Sequence, residues 1–218
     1  MGINSIISGL NVVSAMRQRR DYKRKAAVLY KVVVAQARSP FFYERLGVPD
    51  TLDGRYDMLV IHMALLLRRL SSFAPGDRPT RKAPLPRLAQ YLFDLMEKDL
   101  KHNIRRIGIQ ETAITRETRK MLRAFYGRAY SYEMGLREGT PALVQALREN
   151  LYRNTEVSAD QVAAMAGYII RQEERLKVLP EDDFLEGRQV FAAAETGEDS
   201  ASVTVVPPSV AAESGVAS

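Results

Sequence analysis

The 218-residue chain contains no cysteine and only two histidines. Disulfides and thiolate metal sites are therefore excluded, which fits a reducing compartment. Long hydrophobic runs are also missing. The most apolar stretch, Met58 to Leu67, covers ten residues, where a bilayer-spanning helix needs about 20. A soluble or peripheral protein is expected. A secretory signal is excluded by order, because the basic residues follow the apolar start of the chain instead of preceding it.

Catalytic signatures are just as scarce. A nucleophile with its base, a metal cluster or a phosphate cradle would each leave a recognisable spacing. The sequence has no G-x-S-x-G, no H-E-x-x-H and no glycine loop behind a strand. His62 and His102 fall on separate predicted helices, and His62 lies inside the apolar run. A histidine so placed is expected to hydrogen-bond within the core, with no second ligand at helical spacing. No enzyme activity, metal or cofactor is expected.

What the chain does have is charge asymmetry. The formal net charge is +6, but Glu181 to Ser218 holds eight acids and one arginine, which leaves +13 on residues 1–180. A field of that sign attracts anionic lipid, RNA, a ribosome surface or an acidic protein. No recognised DNA-binding module accompanies it, and DNA is not an expected partner.

Hydrophobic periodicity is helical throughout. The expected architecture is all-α, a single-domain bundle of about six to seven helices. It divides into an amphipathic, basic leader (1–25), a helical body (26–180) and a disordered acidic tail (181–218). In the leader, Ile3, Ile6, Ile7, Leu10 and Val13 form an apolar stripe. Arg17, Arg19, Arg20, Lys23, Arg24 and Lys25 follow as candidates for contact with a membrane or phosphate.

In the body, SPFFYERLG reads as two helical turns, with Pro40 at the first position and Gly47 as the stop. The next helix, capped by Asp50 or Thr51 and running to about Leu70, is apolar on every side over Met58 to Leu67 and is expected at the centre of the bundle. A second long helix is predicted from Pro86 to Ile107, ended by Gly108. A third is capped by Thr115, with Leu122, Phe125, Tyr126, Ala129 and Tyr132 on its apolar side. Thr140 and Pro141 open a fourth, and Ser158 with Gln161 forms the capping box of the last.

Asp99 and Asn103 form an i, i+4 polar pair in line with Leu88, Leu92, Leu95 and Met96. Asp99 is expected to pair with Arg55, Arg68 or Arg105, because a carboxylate on a buried side needs donors. Gly127 and Gly135, each costing about 1 kcal/mol against alanine inside a helix, point to the close approach of another backbone or a partner.

Three blocks carry a family resemblance. AQARSPFFYERLGVPDTLDGRYDMLVIHMALLLRRL resembles the signature block of the ubiquinol-cytochrome c chaperone family. KDLKHNIRRIGIQE resembles that family's D-M-D-x-N-L-R-E-M-G-V-G-D segment through Asp99, Asn103, Arg105 and Gly108, and AFYGRAYSY resembles its Y-G-R block through Phe125 to Arg128. The similarity spans Leu29 to Tyr132 and continues more weakly to Leu179. The chain departs from the pattern at Lys101, His102 and Arg106, where the family tends to carry acids, and at Gln110 and Glu111.

The resemblance implies an all-helical assembly factor for the respiratory cytochrome bc1 complex that holds newly made cytochrome b, or another membrane-protein client. It also implies association with the ribosome and a small partner protein, as in mitochondrial relatives. On this reading Phe41, Phe42, Tyr43, Arg55, Tyr56, Tyr126 and Arg128 are candidates for one apolar, client-binding groove rimmed by arginines. The expected compartment is the bacterial cytoplasm, at the inner-membrane surface, with the mitochondrial matrix as the alternative. A basic protein of RNA or the ribosome surface without chaperone activity is the competing reading.

Overall fold

A computed structural model describes residues 3–72 and 83–194, with side chains from residue 13 onward. Among the described residues the chain forms α1 (Ile3–Ala37), α2 (Pro40–Glu44), α3 (Leu52–Ser72), α4 (Pro84–Arg106), α5 (Glu111–Glu138), α6 (Thr140–Asn150), α7 (Ala159–Val178) and α8 (Glu181–Glu186). The architecture is all-α, as the periodicity requires. Six of these helices are long, and α2 and α8 are short.

α3 is the central helix. It touches α1, α4, α5 and α7 and buries Met58, Val60, Ile61, Met63, Leu65, Leu66 and Leu70. This is the consequence of a run with no polar side: each of its faces needs an apolar neighbour. α4 shows the ordinary amphipathic case, burying Leu85, Leu88, Leu92, Met96, Leu100 and Ile104 at three- and four-residue steps.

The punctuation falls largely where the sequence puts it. Gly47 and Gly108 adopt positive φ at the ends of α2 and α4. Ser158 Oγ accepts from the Gln161 backbone N–H, and the Ser158 N–H donates to Gln161 Oε1, both at 3.1 Å. α5 starts earlier than expected, at Glu111 rather than after Thr115. Arg105, in the last turn of α4, reaches Glu111 at 2.8 Å and ties the two ends together.

Gly135 explains itself: a Cβ there would stand 2.7 Å from Leu143 Cα, so the α5–α6 crossing depends on its absence. Gly127 does not, since a Cβ there would meet nothing within 4 Å.

Both expected boundaries of the body move. The leader does not end at residue 25, because α1 runs unbroken to Ala37 and Tyr22 is already buried. The disordered tail does not begin at 181, because α8 forms there and Phe184, Val190, Phe191 and Ala194 are buried. Ala192 anchors this segment: its carbonyl accepts from Gln36 Nε2 at 2.8 Å, and its N–H donates to Gln172 Oε1 at 2.9 Å. The rest of the expected tail, 195–218, lies outside the described residues.

Candidate functional site

Two of the cavities that open between the helices are sizeable. The larger, about 610 Å³, lies between α3 and α5 over Ile169 of α7. Ala64 and Leu65 line it from one side, Phe125, Ala129 and Leu136 from the other, and Arg68, Tyr126 and Arg137 stand at its edge. The smaller, about 420 Å³, lies among α1, α3, α4 and α5. Arg38, Arg55, Tyr56, Asp99, Asn103 and Arg106 are among the residues lining it. Apolar walls with a few charged groups at the mouth are the usual make-up of a binding cleft.

The single aromatic groove expected from sequence does not form. Phe42 is fully buried in the core, edge-on to Tyr168 at 4.9 Å between ring centroids. Tyr56 is buried and donates to the Met121 carbonyl at 2.7 Å, and Tyr43 donates to the Ala37 carbonyl at 2.8 Å. Phe41 is only half-buried. Burial raises the Tyr56 phenol to about 12, so it stays a neutral donor.

Of the proposed aromatics only Tyr126 stands in solvent, at 59% exposure. That corrects its expected place on the apolar side of α5. The buried seam of that helix passes through Ile114, Thr118, Phe125 and Tyr132, and Tyr126 sits one residue, roughly 100°, off it.

The cations divide as well. Arg55 pairs with Asp50 at 2.6 Å on the surface, an exposed contact of little energetic weight. Arg128 instead turns inward and is bound to Asp57, with its guanidinium 5.5 Å from the Tyr56 ring centroid. It is not a free client contact.

Among the described residues Asp99 takes no arginine. It accepts from Tyr30 Oη at 2.9 Å and from Asn103 Nδ2 at 3.2 Å. Arg55, Arg68 and Arg105 pair with Asp50, Glu173 and Glu111. Asp99 is only half-buried at the edge of the smaller cavity, so a neutral hydroxyl and an amide are enough to hold it. Of the positions that depart from the family pattern, Lys101 pairs with Glu97 at 2.6 Å, and His102 and Arg106 are exposed.

Sequence reasoning missed the main buried charge. Asp57 is 1% exposed and binds Arg128 through one oxygen and Arg153 through the other, the latter at 3.0 Å. Burial pushes its carboxyl up to about 6, against the pull of the two guanidinium groups. Tyr132, which lines the larger cavity, has its hydroxyl buried without a hydrogen-bond partner among the described residues. The signal was available: Asp57 shares a face of α3 with Ile61 and Leu65, four and eight residues on.

His62 behaves as expected. It is fully buried, with Nδ1–H donating to the Met58 carbonyl at 2.7 Å and Nε2 accepting from Tyr168 Oη at 2.7 Å. Desolvation lowers its pKa to about 4. A histidine depressed in the native state contributes stability that is present above its unfolded value, about 6.5, and lost as pH falls toward 4. Between pH 7 and 5 this amounts to about 2 kcal/mol. Urea unfolding at the two pH values is expected to show the wild type losing about 2 kcal/mol more than His62→Gln between pH 7 and 5. Asp57 acts with the opposite sign between about pH 4 and 6, and comparison with the variant cancels it.

The fold and these clefts define a class: an all-α bundle whose apolar interior opens between α3 and α5. Residues 44–191 match the model of the family described as ubiquinol-cytochrome C chaperone, and the chain belongs to that family. A curated relative from Xenopus laevis, ubiquinol-cytochrome-c reductase complex assembly factor 1, is 22% identical over 166 residues, covering 75% of this chain and 79% of the relative. The crystal structure of the Cbp3 homolog from Brucella abortus superposes with a TM-score of 0.72 at 28% identity, covering 85% of this chain and 98% of that one.

Proposed function

We propose that the protein is a non-catalytic chaperone for assembly of the cytochrome bc1 complex, holding a newly made cytochrome b in the cavity between α3 and α5. The observation that carries this reading is the 610 Å³ apolar cleft with Arg68, Arg137 and Tyr126 at its edge. Apolar side chains of a membrane-protein segment gain about 25 cal/mol per Å² on entering such a surface. The charged edge suits the polar flanks of that segment.

The names carried by the relatives support the role. No helix among the described residues is long and apolar enough to cross a membrane. On this reading the client is met at the membrane surface, and a ribosome making it is a natural neighbour of the basic body. Arg55 remains a candidate contact at the mouth of the second cleft.

Deletion of the gene is the test. Assembled bc1 complex, read by its haem spectrum and by native electrophoresis, is expected to fall to near background while other respiratory complexes persist. Restoration by the full chain completes the test, and undiminished bc1 in the deletion strain would refute the proposal.

A further inference from the structure

The basic cluster of α1 is a charged patch that client binding leaves unused, and it lies outside the segment matched by the family. The second half of α1 is built into the bundle through Tyr22, Ala26, Leu29, Val33 and Ala37. Every residue from Val13 to Arg20 is exposed. That stretch covers about two turns; the side carrying Gln18 meets the bundle, where its Oε1 accepts from Arg87 Nη1 of α4 at 2.8 Å, and the arginines on its other sides are left exposed.

The arm is not polar throughout. No charged side chain precedes Arg17 in the sequence, and Val13 and Met16 are 50% and 60% exposed. The cluster from Arg17 to Lys25 then brings six cations against one acid, Asp21. Asp21 is engaged by Arg24 at 2.8 Å and Lys25 at 2.9 Å. Arg17, Arg19, Arg20 and Lys23 make no ion pair among the described residues, and all four are exposed. At roughly 100° per residue the cations point to several sides of the axis, as a collar and not a stripe.

We propose that this arm of α1 is a membrane-surface anchor. Its cations take the phosphates of anionic phospholipids, and its uncharged end enters the adjoining leaflet. Residues 3–16 of α1 rise ~21 Å as helix, short of the ~30 Å hydrocarbon core, so this stretch by itself dips without crossing.

Single-stranded RNA fits this element less well. There is no aromatic residue before Tyr22 on which a base could stack. Tyr22 itself is buried, stacked on Tyr91 at 5.9 Å and covered by Arg87 at 4.7 Å. Because α1 continues without a break from the arm into the core, a bound arm orients the body on the membrane instead of tethering it loosely. The inference goes beyond the client reading and does not depend on it.

The purified full chain, floated with phosphatidylcholine vesicles containing or lacking phosphatidylglycerol, provides the test. Binding is expected at least tenfold tighter with the anionic lipid, and it should weaken with salt. Arg19→Ala/Arg20→Ala/Lys23→Ala is expected to reduce it about 100-fold, at about fivefold per cation, with an unchanged melting temperature because all three side chains are exposed. Val13→Glu, which charges the apolar end, is expected to reduce it as well. A labelled single-stranded RNA and inorganic phosphate are the competing probes, and neither should displace the vesicles. Equal binding to neutral vesicles, an unaffected triple variant, or tighter capture of RNA than of anionic vesicles would overturn the proposal, whatever the deletion strain shows for bc1.

Discussion

Asp57→Ala is expected to lower the unfolding free energy by about 3 kcal/mol, the lower end of what breaking a buried ion pair costs. For a chain of this size that is a fall of about 10 °C in melting temperature. The cost arises because Arg128 stays in place with its partner gone. Its side chain is 15% exposed, and its guanidinium is left over the Tyr56 ring, 5.5 Å from the centroid. Arg153 is freer to rehydrate and still reaches Asp53 at 3.3 Å, which keeps the loss from being larger. Adding Arg128→Leu should recover part of the stability, since an apolar side chain does not need the missing carboxylate. Thermal denaturation of the two variants measures both effects. A double variant no more stable than Asp57→Ala would show that the triad is not what couples α3 to α5.

Filling the larger cleft is expected to have the greatest effect on function. Ala64 of α3 and Ala129 of α5 both line it, and neither is sealed in the core. Tryptophan at either position occupies space that the structure leaves open, so the fold should survive, with helical content and melting temperature close to wild type. Client retention should fall more than tenfold, and assembled bc1 should approach the level of the deletion strain. Glu156→Trp, in the exposed loop ahead of α7, supplies a bulky control that changes neither. Pull-down of cytochrome b with each variant checks the prediction. Full retention by both cleft variants would move the binding site elsewhere.

The helices were legible because their signals are local and repeated. The unbroken apolar run of α3, the spacing of Leu88, Leu92 and Met96 in α4 and the Ser158–Gln161 box each state a helix and its direction without reference to the rest of the chain. The site was less legible. PFFY shows that aromatic area is present but not which ring turns inward, and the five-residue α2 sends Phe42 to the centre of the core while Phe41 stays half-exposed.

The end of the body was misread for a related reason. The acids around Phe184, Val190 and Phe191 dominate the local composition. Yet Phe191 packs edge-on against His62, with ring centroids 5.1 Å apart, a contact no window of sequence could reveal. The partner of Asp99 could not be read either, because Tyr30 lies 69 residues away on α1. What selected Tyr30 over an arginine was the half-open edge of the smaller cleft, a property of the packing.

The most direct measurement is photo-crosslinking in cells from a benzoyl-phenylalanine placed singly at Tyr126, at Leu67 and at Glu156. Tyr126 and Leu67 line the cleft between α3 and α5, and Glu156 does not. Newly made cytochrome b is expected to crosslink from positions 126 and 67 and not from 156. Crosslinks of equal yield from all three positions, or from 156 alone, would contradict a client held in that cleft.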